Sequence, residues 1–251
     1  MTPDQIERAA TALVAARKGA AIASLSGDAI PQSEPDAYQV QDAVIAKLGE
    51  KVGGWKIGFS PLGGYFSAPI FASAVHPSPA SLPARGFKII GIECEIGFRF
   101  DKPLPVRAQP YTREEVLEAA SLHPTIEVVD SRYQDFRSLG RLLVLADNFS
   151  NGALVYGAAV PASTWHGLDL AHPPIEVTAD GKPFADCTGL RAGTPVELCV
   201  AAVNHANGRG GVAAGTVITT GTHTGLVFTE PGTRIDADFG RVGRVEVAFP
   251  A

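Results

Sequence analysis

Cysteine is scarce: the 251-residue chain has three, and Cys94, Cys187 and Cys199 form no close pair. That spacing argues against a thiolate zinc site and against a disulfide framework. Basic clusters are missing as well. The formal net charge is −5 and no run of Lys or Arg stands out, which excludes a nucleic-acid footprint. No stretch approaches the ~18 consecutive apolar residues of a membrane-spanning helix. The opening MTPDQIERAA is acidic and amphipathic, without a signal-peptide run. The expectation is a cytoplasmic protein with no membrane or nucleic-acid partner. Repeats and low-complexity segments are also absent. What is present is core material. At 45% hydrophobic and 19% charged, the chain can bury a sizeable core as one continuous globular unit.

Local patterns place the elements. Thr2 and Gln5 form a capping box, Pro3 suits a first helical turn, and Gly19 closes that helix. A second helix is predicted over about residues 35–48, with Val40, Val44 and Leu48 inward. From Gly53 the run GGWKIGFSPLGGYF reads as a strand entering a loop, and residues 71–85 read as irregular. GIECEIGFRF is a strand, Thr112 and Glu115 cap a third helix, and PTIEVVD is another strand. Asp180-Gly181 marks the turn of a hairpin, and GTVITTG and GRVEVAFP read as late strands. Helices first and strands later indicate an α+β fold. The expected division is an N-terminal helical portion over 1–80 and a β-rich catalytic core over 81–251.

Side chains alternate along a strand. Glu93, Glu95 and Gly97 therefore share one face of GIECEIGFRF, while Cys94, Ile96, Phe98 and Phe100 share the other. Glu127 is a lone carboxylate within the apolar run of PTIEVVD. Neighbouring carboxylates on an apolar strand stay ionised only when a cation or strong donors neutralise them. Three carboxylates without a His or Cys cluster suit a hard cation, Mg²⁺ or Mn²⁺. Taken alone, Glu93 and Glu95 also fit a solvated face paired with lysines, and Glu127 an edge position.

Other residues admit two roles each. Lys56, between Trp55 and Ile57, is either a surface lysine or a buried one whose ammonium form is disfavoured and which moves protons near neutral pH. Asp130 and Arg132 fit a structural ion pair or turn anchor. Ser131 and Ser150 fit substrate contacts or turn caps. Thr220-Gly221 ends a strand, and a tight turn suffices to explain its glycine. Of the six histidines, His223 in the loop TGTHTG is the one to watch.

The ordered set of Tyr38-x-x-Gln41, Gly54-Trp55-Lys56-Ile57-Gly58-Phe59, Ile92-Glu93-Cys94-Glu95-Ile96, Ile126-Glu127-Val128-Val129-Asp130-Ser131-Arg132, Ala146-Asp147-Asn148-Phe149-Ser150 and Thr220-Gly221 resembles a known family. It is that of fumarylacetoacetate hydrolase, in its 2-keto-4-pentenoate hydratase and 4-oxalocrotonate decarboxylase branch. The resemblance runs from about Gln5 to Phe249. It implies a mixed β-roll behind an N-terminal helical portion. It also implies Mg²⁺ or Mn²⁺ on Glu93, Glu95 and Glu127, a catalytic Lys56, and Ser150, Thr220, Gly221 and Arg132 as substrate contacts. The implied activity is metal-dependent hydration of a 2-hydroxy-2,4-dienoate in aromatic catabolism. The alternatives are decarboxylation of a 4-oxalocrotonate-type 2-oxo acid, C–C bond hydrolysis, and a non-catalytic partner subunit. A homo-oligomer, or a complex with a pathway enzyme, is implied too.

Two departures bear on the reaction. In the hydratase branch a stretch resembling P-D-F-G-x-L and a later acidic residue follow the lysine motif. Here residues 68–76 read APIFASAVH, with Ile70 where the aspartate is expected. The His-Glu pair of the C–C bond hydrolases has no counterpart in the N-terminal region.

Overall fold

The computed structural model describes residues 1–59, 64–165, 167–190 and 192–251; positions 60–63 of the expected strand-to-loop run lie outside them. The helices form where their caps dictate. α1 (Pro3–Lys18) begins at the Thr2–Gln5 capping box and stops at Gly19. α2 (Glu34–Leu48) is capped by Ser33 and ends in a left-handed Gly49. The remaining helices are α3 (Arg113–Ala119), opened by the Thr112–Glu115 box, α4 (Arg141–Ala146), α5 (Ala162–Trp165) and α6 (Pro195–Asn207). A third capping box, Thr194–Glu197, opens α6.

The strands are β1 (Val52–Phe59), β2 (Tyr65–Phe71), β3 (Val75–Pro77), β4 (Ala80–Ser81), β5 (Gly91–Phe100), β6 (Ala120–Val129) and β7 (Asn151–Tyr156). They continue with β8 (Glu176–Ala179), β9 (Lys182–Ala185), β10 (Val217–Thr222), β11 (Val227–Phe228), β12 (Arg234–Asp238) and β13 (Arg244–Ala248). An eight-stranded mixed sheet runs β2-β1-β10-β5-β6-β7-β3, with β11 beside β5, and a five-stranded sheet runs β4-β13-β12-β8-β9. The β8–β9 hairpin turns at Asp180 (φ 50°) and Gly181 (φ 77°), both left-handed, as a two-residue hairpin loop requires.

The large sheet curls between two cores. On one side Trp55, Ile57, Cys94, Ile96 and Phe98 pack with Leu198, Cys199 and Ala202 of α6 and with Ile235 and Val247 of the smaller sheet. A second core joins Ala9, Leu13, Val40 and Val44 of α1 and α2 to Phe66, Tyr133 and Leu145. The architecture is α+β with a mixed β-roll. Helix gives way to sheet at Val52, and β1 to β4 already join strands from the later sequence, because β1 pairs with β10 and β4 with β13. No helix among the described residues is long and apolar enough to cross a membrane.

Candidate metal centre

Strand register assembles the site. β5 and β6 pair antiparallel with Glu93 directly opposite Glu127 and Glu95 opposite Thr125. Directly opposed residues share a face, so all three carboxylates meet, with ligand atoms within 4.8 Å of one another. β10 lies between β1 and β5 and sets Thr219 beside Lys56 on one side and Gly97 on the other. Lys56 (5% exposed) and Glu127 (0%) form a buried ion pair.

Each carboxylate has its own supports. Glu95 Oε2 accepts from the Thr219 hydroxyl and from Gly221 N–H at 2.7 Å. Gly221 can donate there because its φ is +93°, and a Cβ on it would lie 3.1 Å from Leu190 Cδ1. Thr125 and Thr219 hydroxyls lie 3.4 Å apart beneath it. Glu127 Oε1 accepts from Lys56 and from Asn151 Nδ2 at 3.1 Å, whereas Glu127 Oε2 is buried without a hydrogen-bond partner among the described residues. Lys56 Nζ also donates to Phe149 O at 3.0 Å and lies 5.2 Å from the Phe149 ring centroid.

The electrostatics follow. Two carboxylates with ligand atoms within 4.8 Å of one another repel by about 3 kcal/mol or more at an effective dielectric of ~20. Burial, reinforced by Glu127, raises Glu93 to about 7, although the Lys56 ammonium opposes it. Burial and the charges of Glu127 and Glu93 raise Glu95 well above the usual carboxylate range. For Lys56, burial disfavours the ammonium as the sequence suggests. Glu127, Glu93 and Glu95 together outweigh it and hold the group above an ordinary lysine when protein charges alone are counted. Three carboxylates and one ammonium leave two formal negative charges, which a divalent cation matches. The unpartnered Glu127 Oε2 and the all-oxygen donor set fit a hard ion.

Lys56, Glu93, Glu95 and Gly221 line a pocket whose walls are Ile57, Phe59, Phe149, Leu190 and Leu198. The other expected contacts fall elsewhere. Thr220 Oγ1 donates to Ile96 O at 2.6 Å, pointing away from Glu95, and its neighbour Thr219 serves the site instead. Arg132, 1% exposed, commits its guanidinium to Asp147 and to Asn151 O. This matches the turn anchor and differs from the substrate contact that the resemblance implies. Asp130 accepts from Lys88 and Ile89 N–H at 3.0 and 3.1 Å. Ser150 Oγ is buried without a partner among the described residues, and Ser150 does not line the pocket. His223 is fully buried, pairing through Nε2 with Leu170 O at 3.0 Å, and burial lowers it. Sequence reasoning missed Thr219, Phe149, Asn151, Leu190 and Leu198. Thr219 was findable, since alternation places one of two adjacent threonines on the carboxylate face.

No family model matches the chain. A curated 4-oxalocrotonate decarboxylase from a Pseudomonas species is 31% identical over 157 residues, 61% of this chain. That match spans 57% of the relative's length. The solved 4-oxalocrotonate decarboxylase of Pseudomonas putida G7, complexed with magnesium and adipate, superposes with a TM-score of 0.82. It is 24% identical, over 99% of this chain and 98% of that one. The chain is similar to these proteins in sequence over part of its length and in fold over nearly all of it. A fumarylacetoacetate hydrolase family protein from Yersinia pestis, at 16% identity, shares the fold with a TM-score of 0.53 over 80% of this chain and 93% of its own. What the chain shares with these solved structures is the curled mixed sheet.

Proposed function

We propose that this chain is a divalent-metal-dependent decarboxylase of a short, unsaturated 2-oxo acid. The observation that carries the proposal is the set of three converging carboxylates with a buried Lys56 at the head of an apolar pocket. Glu93, Glu95 and Glu127 would hold Mg²⁺ or Mn²⁺, whose Lewis acidity draws charge from the 2-oxo group when bound. The walls Leu190, Leu198 and Phe149 keep water from the distal end of the substrate. A carboxylate placed there loses hydration that it would keep in water, which favours its departure as neutral CO₂. The C–C bond to that carboxylate breaks, and its electron pair passes through the conjugated double bond to the 2-oxo oxygen. Lys56 Nζ then returns a proton to carbon and is reprotonated from solvent.

Hydration of a 2-hydroxydienoate, the first expectation from sequence, uses the same carboxylates and the same lysine. Two observations move decarboxylation ahead of it. One is the name carried by the similar relatives. The other is Ile70, which is fully buried with Leu154 and Val217. By register it shares the Lys56 face, since Gly54 pairs with Ile70 and Lys56 with Ala68. A hydrocarbon stands where the hydratase branch has an acid, so nothing at that position can activate water. The implied setting is a cytoplasmic homo-oligomer in aromatic catabolism, alone or beside a pathway enzyme.

The test is purified protein with Mg²⁺ or Mn²⁺ and a panel of unsaturated 2-oxo mono- and diacids. We expect CO₂ release from a diacid, abolished by EDTA and restored by either metal. Loss of dienol absorbance without CO₂ would select the hydratase, and turnover unchanged by exhaustive chelation would sink the metal role.

A further inference from the structure

Three consecutive non-glycine residues beside the site are left-handed: Asn148 (φ 49°), Phe149 (φ 51°) and Ser150 (φ 56°). Such a conformation is rare for a bulky residue like Phe and costs on the order of 1–3 kcal/mol per residue, so it persists only where its surroundings enforce it. The enforcing group is Arg132. It donates to Asp147 Oδ1, to Asp147 O at 2.8 Å and to Asn151 O at 2.8 Å, spanning the turn from the residue before it to the residue after it. The Arg132 backbone N–H adds a bond to Asp147 Oδ2 at 3.0 Å. Ser150 O is tied to Asp130 N at 2.9 Å, and Asn148 Nδ2 reaches Pro69 O at 3.3 Å.

The turn faces the carboxylates with two groups. Phe149 O receives Lys56 Nζ at 3.0 Å, and Asn151 Nδ2 donates to Glu127 Oε1 at 3.1 Å. Both members of the buried ion pair are therefore held from behind by a segment that the guanidinium straddles. A relaxed, right-handed turn would move Phe149 O and Asn151 off these bonds together.

We propose that Arg132 and Asp147 form a positioning clamp. They hold residues 148–150 left-handed, so that Phe149 O and the Asn151 amide fix Lys56 and Glu127 in the orientation that leaves Glu127 Oε2 free for a cation. The proposal rests on the reading that Glu127 holds a divalent metal. It assigns Arg132 no contact with substrate.

Calorimetric Mn²⁺ titration of Arg132→Lys, Asn151→Ala and the parent at 25 °C tests it. Lysine keeps the charge beside Asp147 but cannot reach both backbone carbonyls. Loss of a group that orients a metal ligand is expected to raise the Mn²⁺ dissociation constant by roughly 10–100-fold, in R132K and in N151A alike. Val116→Ala, a cavity at buried Val116 in α3, which leads into the opposite end of β6 from Glu127 and Arg132, supplies a variant with lowered thermal stability, and it should bind Mn²⁺ as the parent does. A parental dissociation constant in N151A overturns the clamp, even where R132K fails to fold, because Asn151 is its last link to Glu127. Weakening of the same size in V116A would reduce the effect to general destabilisation and also overturn it. If the parent binds no Mn²⁺, or E127Q binds it undiminished, the metal reading has failed. If E127Q loses Mn²⁺ while R132K and N151A keep it, the clamp alone has failed.

Discussion

Replacing Glu95 by Gln should make the protein more stable without metal and insensitive to it. Glu95 lies within 4.8 Å of both other carboxylates, 3% exposed. Coulomb repulsion at that separation is about 3 kcal/mol per pair at an effective dielectric of ~20. Partial protonation already relieves much of it, since burial and the neighbouring charges raise both Glu93 and Glu95. A net gain of roughly 1–2 kcal/mol, about 2–8 °C in Tm for a chain of this size, is what remains. The amide keeps the acceptor oxygen for Thr219 and for Gly221 N–H, so the strand end should not move. With metal the order reverses. The parent in Mn²⁺ at a hundred times its dissociation constant gains ~2.7 kcal/mol, or about 5–11 °C, and E95Q gains little. The assay is thermal unfolding of both proteins in EDTA and in Mn²⁺. Two outcomes would refute the reasoning: an Mn²⁺ shift in E95Q equal to the parent's, or an E95Q that melts below the parent in EDTA. Either would mean that Glu95 is a purely structural carboxylate, held by Thr219 and Gly221 rather than serving a metal.

Lys56→Met is expected to lower kcat by roughly 10²–10⁴-fold, as loss of general acid–base catalysis does, with Mn²⁺ affinity retained. A raised KM at parental kcat would make Lys56 a substrate clamp instead. His205, 4.7 Å from the Tyr38 ring and 5.9 Å from Trp55, is lowered to about 4 by burial and by the nearby Arg209. A folded value below the ordinary ~6.5 means that His205 contributes stability above pH ~6.5 and loses it as the pH falls towards 4. His205→Phe should therefore narrow the difference in Tm between pH 7 and pH 5, and an unchanged difference would remove His205 as a cause. Light scattering at micromolar concentration should show an oligomer, and a stable monomer would contradict the quaternary expectation.

What could be read from the sequence differs between fold and site for a physical reason. Caps and alternation are local, so α1, α2, β5 and the Asp180–Gly181 hairpin fall where the residues place them. The pairing of Glu93 with Glu127 is not local. Glu127 lies 34 positions after Glu93, and alternation states only which face each carboxylate takes. The like-charge repulsion of that register is informative because nothing within the two strands compensates it. Thr219 and Gly221 come from β10, Lys56 from β1, and Asn151 from β7. Arg132 shows the limit most clearly. From the residues alone Arg132 fits an ion pair or turn anchor, and only the resemblance makes it a substrate contact. Its donors are nonetheless committed to Asp147 and Asn151, because the left-handed Asn148–Ser150 turn must be held by something. No periodicity or cap announces a left-handed Phe149. The strain exists only because the turn must bring one carbonyl to Lys56 and one amide to Glu127, and both of those partners are distant in sequence.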